Sequence, residues 1–289
     1  MKCDLCPRKC GINRNESVGF CGVTNTLKVA RAGLHFWEEP IISGSSGSGT
    51  IFFSGCNLKC VYCQNYDISS EAFGKEITIE RLAEIFKELE EKGANNINLV
   101  TPSHYAKQIV EALKIYRPNI PIVYNTSGYD SLEVLKLMEG WVDVYLTDLK
   151  YCSSELSKKY SKAENYFEVA TSAILEMVRQ QPNNVFENGM LKKGVVVRHM
   201  VLPTHTQDSF KVLDWIKQNL GDEALVSVMG QYTPYYNSKN YPEINRKLKP
   251  LEYKMVLNHC IKLGLTNGFS QELDSASEEY IPPFNLEGV

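Results

Sequence analysis

From Thr50 onward, short apolar runs rich in β-branched residues alternate with longer segments whose apolar positions recur every three and four residues. The runs fall at 51–54, 97–101, 120–124, 142–147, 195–202 and 224–229; the amphipathic segments fall at 78–92, 104–116, 131–138, 165–181 and 208–219, with a last one at 250–263. Such an alternation predicts repeated βα units, and so a parallel sheet with helices on its outer faces. The pattern alone allows either an open doubly wound sheet or a sheet curled into an incomplete barrel. A chain of 289 residues has room for one barrel with an appendage or for two ordinary domains.

Residues 1–48 break this rhythm. They contain Cys3, Cys6, Cys10 and Cys21 in a C-x2-C-x3-C-x10-C spacing, show no helical period, and end in the run Ser43-Gly44-Ser45-Ser46-Gly47-Ser48-Gly49. The expected organisation is a Cys-rich module at 1–48, an α/β domain at 49–270 and a tail at 271–289. Four thiolates so close in sequence can close a tetrahedral zinc site or hold an auxiliary iron–sulfur cluster, and the spacing suits both.

A second group, Cys56, Cys60 and Cys63, follows the first apolar run in a C-x3-C-x2-C spacing. Four-iron clusters usually take four Cys ligands, so three thiolates on one loop can hold a cluster and leave an iron open. A zinc knuckle completed by Cys152 or Cys260 is the alternative, although Cys260 shares a helical face with Val256, Leu257 and Leu263 and reads as core. Seven of the nine Cys lie within the first 63 residues at metal-ligand spacings, which favours metal ligation over disulfides. Lys plus Arg is 31 against 34 Asp plus Glu, a formal charge of −3, which supplies no basic footprint for nucleic acid or an anionic membrane. No apolar stretch approaches a membrane span, and no secretory core precedes Cys3, so the expected location is the cytoplasm.

In parallel α/β folds, ligands gather at the carboxyl ends of the strands. The segments 98–102, 125–128, 147–150, 198–203 and 230–232 lie at or near such ends. Among them Arg198 interrupts an apolar run, Val195-Val196-Val197-Arg198-His199-Met200-Val201-Leu202. A guanidinium there must be paired or must face a polar cavity. His199 reads as a packed histidine.

The segment Ser54-Gly55-Cys56-Asn57-Leu58-Lys59-Cys60-Val61-Tyr62-Cys63-Gln64-Asn65 resembles the cluster loop of radical S-adenosylmethionine (radical SAM) enzymes. It is most similar to the pyruvate formate-lyase activating enzyme group, in its branch with an extra Cys-rich N-terminus. The likeness continues through 98–102, 124–129, 143–150, 197–203 and 229–232. This resemblance implies a partial (β/α)6 TIM-like barrel, with a 4Fe-4S cluster on Cys56, Cys60 and Cys63 whose open iron chelates S-adenosylmethionine. It implies reductive cleavage to a 5′-deoxyadenosyl radical, electrons from a flavodoxin- or ferredoxin-like donor, and hydrogen abstraction from a substrate such as a glycyl residue of a partner glycyl radical enzyme. Cofactor contacts are expected at Tyr62, Asn98, Thr101, Asn125, Asp148, Arg198 and Gln231. Two departures stand out. The Gly-Gly-Glu type segment that receives the amino group of S-adenosylmethionine is replaced by Val100-Thr101-Pro102-Ser103-His104, and Asn125 stands where an Asp could help bind a monovalent cation. Radical modification of a peptide or small metabolite, or a non-catalytic iron–sulfur scaffold or redox sensor, are the other readings.

Overall fold

The sheet begins before the βα rhythm does. In a computed structural model, which describes residues 2–270 and 282–289, strand β1 (Lys28–His35) runs antiparallel to β2 (Ser48–Phe53), with His35 opposite Ser48 and Val29 opposite Phe53. A short β3 (Lys75–Glu76) pairs with the start of β1. Strands β4 (Ile97–Val100), β5 (Ile122–Thr126) and β6 (Val144–Asp148) then add in parallel beside β2. The hairpin of β7 (Val185–Glu187) and β8 (Met190–Met200) brings β8 against β6, and β9 (Leu225–Met229) and β10 (Gly268–Ser270) follow in parallel. All six expected runs are parallel strands. Among the described residues the path from β3 to β10 does not close on itself, so the fold is the expected partial barrel.

Helices α1 (Pro40–Ser43), α2 (Tyr66–Ser69), α3 (Ile79–Glu91), α4 (Ala106–Ile115), α5 (Leu132–Met138), α6 (Ser154–Ser161), α7 (Tyr166–Gln180), α8 (Thr206–Leu220) and α9 (Pro250–Lys262) link the strands. Thr78 caps α3 by accepting from the Arg81 amide at 3.1 Å, and Ser131 and Ser153 cap α5 and α6 in the same way. The larger helices bury one apolar stripe each, as Leu82, Ile85, Phe86 and Leu89 do on α3.

α1 is different in kind. Its Ile41 and Ile42 pack with Val123, Val144, Leu146, Val196 and Leu225 and so plug the barrel toward the amino-terminal ends of its strands. The link from β1 into α1, at Phe36 to Glu39, is thereby carried under the barrel lumen. The chain terminus covers the other side of β1: the Leu286 amide donates to Ala30 O at 3.1 Å, the Ala32 amide to Glu287 O at 2.8 Å, and Arg31 pairs with Glu287 at 3.0 Å. Paired in this way, the edge of β1 is not left open. Of the expected tail at 271–289, residues 271–281 lie outside the described residues.

The Cys-rich segment is fastened to the barrel by polar contacts. Arg14 donates to His104 O and Thr24 O, both at 2.6 Å. Arg8 donates to Asn57 O at 2.8 Å and stacks over Phe20 at 3.9 Å. Ser131 donates to Leu5 O at 2.8 Å. Among the described residues no helix is long and apolar enough to cross a membrane.

Candidate metal and cofactor site

Cys56, Cys60 and Cys63 sit on the loop between β2 and α2, above the carboxyl ends of the parallel strands. All three line one cavity of about 260 Å³, together with Thr101, Asn125, Asp148, Lys150, Arg198 and Gln231. Each sulfur meets a hydrogen-bonding neighbour. The Leu58 amide donates to Cys56 Sγ at 3.4 Å, and the hydroxyls of Ser161 and Ser69 lie 3.0 Å from Cys60 Sγ and 3.2 Å from Cys63 Sγ. As free thiols they are held protonated: burial pushes Cys56 up to about 12 and Cys63 up to about 11, and raises Cys60. A positively charged metal group would reverse that balance, since ligand thiols are deprotonated.

The residues fit a cluster with an open corner. Among the described residues no fourth Cys lines this cavity or the adjoining one. Cys260 is packed in the core, and the Cys152 amide is tied to Asp208 at 3.1 Å. Among the described residues no three His, Cys, Asp or Glu side chains are arranged for a single metal ion.

The loop is locked in place. Gly55 has φ +86°, and a Cβ there would lie 2.8 Å from Cys21 O and from a Val23 methyl, so only glycine fits. The next amide, Cys56 N, donates to Cys21 O at 3.2 Å. This joins the last Cys of the N-terminal quartet to the first of the trio. The quartet itself converges: Cys6 lies in the electrostatic reach of Cys10, Cys21 and Cys3, and a Cβ on Gly19 would sit 3.5 Å from Cys10 Sγ and 3.7 Å from Cys21 Sγ. A hydrogen-bonded chain runs from Tyr62 OH to Tyr151 OH to Ser161 Oγ and on to Cys60 Sγ.

Beneath the trio lies a buried ionic network. Arg198 Nε donates to Asp148 Oδ1 and Nη2 to Asn125 Oδ1, both at 2.8 Å, and Nη1 lies 3.5 Å from Glu38 Oε2. Lys150 pairs with the second Asp148 oxygen. Burial alone would raise Asp148, but Arg198 and then Lys150 outweigh it and hold the carboxyl below its usual value. The Asn125 and Asp148 oxygens that could have served a monovalent cation are thus taken by the Arg198 guanidinium and, at the second Asp148 oxygen, by the Lys150 ammonium. Glu39, buried beside Ser227, is pushed up by burial against the pull of Arg198.

Of the expected cofactor residues, Thr101, Asn125, Asp148, Arg198 and Gln231 line the cavity of the trio. Tyr62 lines a second lobe with Met200, Met229 and Tyr232, which shares Cys60, Cys63, Asp148, Lys150, Arg198 and Gln231 with the first. Asn98 lines neither lobe. It is fully buried and reaches the site through Glu38 Oε1, to which it donates at 3.2 Å. Thr101 holds φ +59°, a left-handed conformation that is costly for a β-branched residue. The backbone shape of a glycine is therefore kept without the glycine. His199 is a packed residue, bridging Leu149 O and Ser209 Oγ.

His35, Trp37 and Glu38 also line the cavity, all from β1 and its link to α1. Sequence reasoning missed them because the strand-end rule does not reach a segment that precedes the βα units.

Residues 50–216 match the sequence model of the family described as the Radical SAM superfamily. Among curated proteins, the uncharacterized protein MJ0674 of Methanocaldococcus jannaschii is 36% identical over 275 residues, covering 91% of this chain and 75% of that one. Pyruvate formate-lyase-activating enzyme of Clostridium pasteurianum is 25% identical over 225 residues, covering 73% of this chain and 87% of that one. Among solved structures, Streptococcus suis SuiB superimposes with a TM-score of 0.52 at 11% identity, over 79% of this chain and 50% of that one. That likeness is one of fold, and this chain spans half of SuiB's length.

Proposed function

The chain belongs to the radical SAM superfamily, and from that premise we propose that it is a hydrogen-abstracting enzyme of the glycyl-radical-enzyme activase type. Three Cys thiols and the Asn125–Asp148–Arg198 network opening on one cavity carry this reading. In this family a 4Fe-4S cluster and S-adenosylmethionine, when bound, supply one-electron cleavage of the sulfonium to a 5′-deoxyadenosyl group that takes a hydrogen atom from the substrate.

The chain's own residues have definite work in that scheme. Cys56, Cys60 and Cys63 would hold the cluster, with the Ser161 and Ser69 hydroxyls and the Leu58 amide stabilising their thiolates. Arg198 and Lys150 would draw a carboxylate into the cavity. In the second lobe, the wall of Tyr62, Met200, Met229 and Tyr232 would take the adenine and keep water from the reacting carbon. Thr101 and Gln231 would meet the same molecule from the strand ends.

The likeness to the activating enzyme of Clostridium pasteurianum supports a glycyl residue of a large partner as hydrogen donor, with a flavodoxin- or ferredoxin-like protein as electron source. The quartet at Cys3, Cys6, Cys10 and Cys21 would hold zinc or an auxiliary cluster in the Cys-rich part of the 1–48 segment, whose β1 and α1 are built into the barrel of 49–270. Its contact with the trio favours a second reading, modification of a peptide or small metabolite. We place the enzyme in the cytoplasm, where reducing conditions suit free cysteines.

Two assays test the proposal. Reduced, reconstituted protein should convert S-adenosylmethionine to 5′-deoxyadenosine, and full cluster loading without that product would refute it. Addition of a co-encoded glycyl radical enzyme should then produce a glycyl radical signal; its absence with every such partner would favour the second reading.

A further inference from the structure

Cys60 stands at the end of a run of buried hydroxyls. Its Sγ lies 3.0 Å from Ser161 Oγ, Ser161 Oγ lies 2.7 Å from Tyr151 OH, and Tyr151 OH meets Tyr62 OH. Ser161 and Tyr151 have no solvent exposure, and Tyr62 is buried. The backbone fixes the run in place. The Lys59 amide donates to Ser161 O at 3.3 Å and the Val61 amide to Tyr160 O at 2.8 Å, so the end of α6 is zipped to the residues on either side of Cys60. Tyr151 packs edge-on against Tyr166 and Tyr62 against Tyr232, with ring centroids 5.5 Å and 5.6 Å apart.

Taken singly, each contact could run in either direction. A hydroxyl has one hydrogen to give, and a thiolate that ligates a metal has none. With Cys60 as a ligand, Ser161 must donate to Cys60, Tyr151 to Ser161 and Tyr62 to Tyr151. Ligation thereby orders all the hydroxyls toward the sulfur, and a chain so ordered strengthens its terminal bond. Cys63 also meets a hydroxyl, that of Ser69 at 3.2 Å, but among the described residues Ser69 Oγ has no donor behind it. Reduction adds negative charge to a cluster and its sulfurs, so a hydrogen bond donated to one of them favours the reduced state.

We propose that the chain of Ser161, Tyr151 and Tyr62 sets the reduction potential of the cluster, Ser161 and Tyr151 being positioning residues that raise it through Cys60. The proposal rests on the reading that Cys60 is a ligand of that cluster. One electron enters from the donor protein and each hydroxyl keeps its own hydrogen, so no proton has to leave the site.

The test is an anaerobic redox titration of the cluster-loaded protein without S-adenosylmethionine, read by electron paramagnetic resonance, comparing wild type with Ser161→Ala and Tyr151→Phe. At the potential where half of the wild-type clusters are reduced, S161A should show a reduced-to-oxidised ratio lower by about tenfold, which is about 59 mV for a one-electron couple. Y151F keeps the Ser161 donor and should lower the ratio by about twofold. An unchanged or raised ratio in S161A at full iron content would overturn the proposal, and an unchanged ratio in Y151F would overturn the role of the chain beyond Ser161. Should S161A fail to load iron, Y151F decides: a lowered ratio supports the chain, and an unchanged one refutes it. A wild type that takes up no four-iron cluster, or a Cys60→Ala variant that loads one fully with an unaltered spectrum, would instead sink the reading of Cys60 as a ligand, and the proposal with it.

Discussion

Arg198 is the residue on which the buried network turns, because Asp148 and Glu38 both face it with little solvent to screen them. Removing one partner of a buried ion pair leaves an uncompensated charge. Arg198→Met should therefore destabilise the protein by about 3–5 kcal/mol in denaturant unfolding; a loss below about 1 kcal/mol would show that Lys150 balances Asp148 alone. The strain at Thr101 gives an opposite expectation. Thr101→Gly relieves a left-handed β-branched residue and should hold or raise stability by about 1 kcal/mol, read as an increased denaturation midpoint. His104 supplies a pH signature: burial holds its imidazole down to about 3, against 6.5 when free. Between those values the unfolded chain binds the extra proton, so folding stability falls as pH drops below about 6.5 and levels near 3. His104→Gln should remove up to about 1.4 kcal/mol per pH unit of that slope, and an unchanged slope would contradict the assignment. Arg198 was legible in the sequence because a charge in an apolar run must be paired or face a cavity. Glu38 was not, since its place depends on where the tertiary fold carries an aperiodic segment.

At the scale of elements, the six parallel strands were legible because their runs are short, apolar and bounded by amphipathic helices. β1, with the sequence Lys28-Val29-Ala30-Arg31-Ala32-Gly33-Leu34-His35, has neither alternation nor strong β-propensity and is recruited by pairing with β2. α1 is one turn long, too short for a period, and α6 is mostly polar, so neither stands out. Yet α1 closes the barrel floor and delivers Glu38. Ile42→Ala, at a fully buried side chain, should cost about 2–5 kcal/mol and weaken S-adenosylmethionine binding; unchanged stability would mean that α1 is a loose plug. Gly55→Ala tests the seam between the Cys-rich segment and the cluster loop. It should lower iron retention and destabilise the fold by more than about 1 kcal/mol, because both its φ and its space exclude a side chain.

At the scale of the whole molecule, the N-terminal segment is built into the barrel and its cavity. It braces the loop of Cys56, Cys60 and Cys63 through Cys21 and Arg8, it plugs the barrel, and it supplies His35, Trp37 and Glu38 to the cavity. Electron paramagnetic resonance of the anaerobically reconstituted, dithionite-reduced protein, with and without S-adenosylmethionine, addresses the open-iron site most directly. The result expected is a reduced 4Fe-4S signal that shifts when S-adenosylmethionine is added and is lost when Cys56, Cys60 and Cys63 are replaced by Ala. A fully loaded cluster whose signal does not respond to S-adenosylmethionine would contradict the open-iron site and leave the barrel as a scaffold.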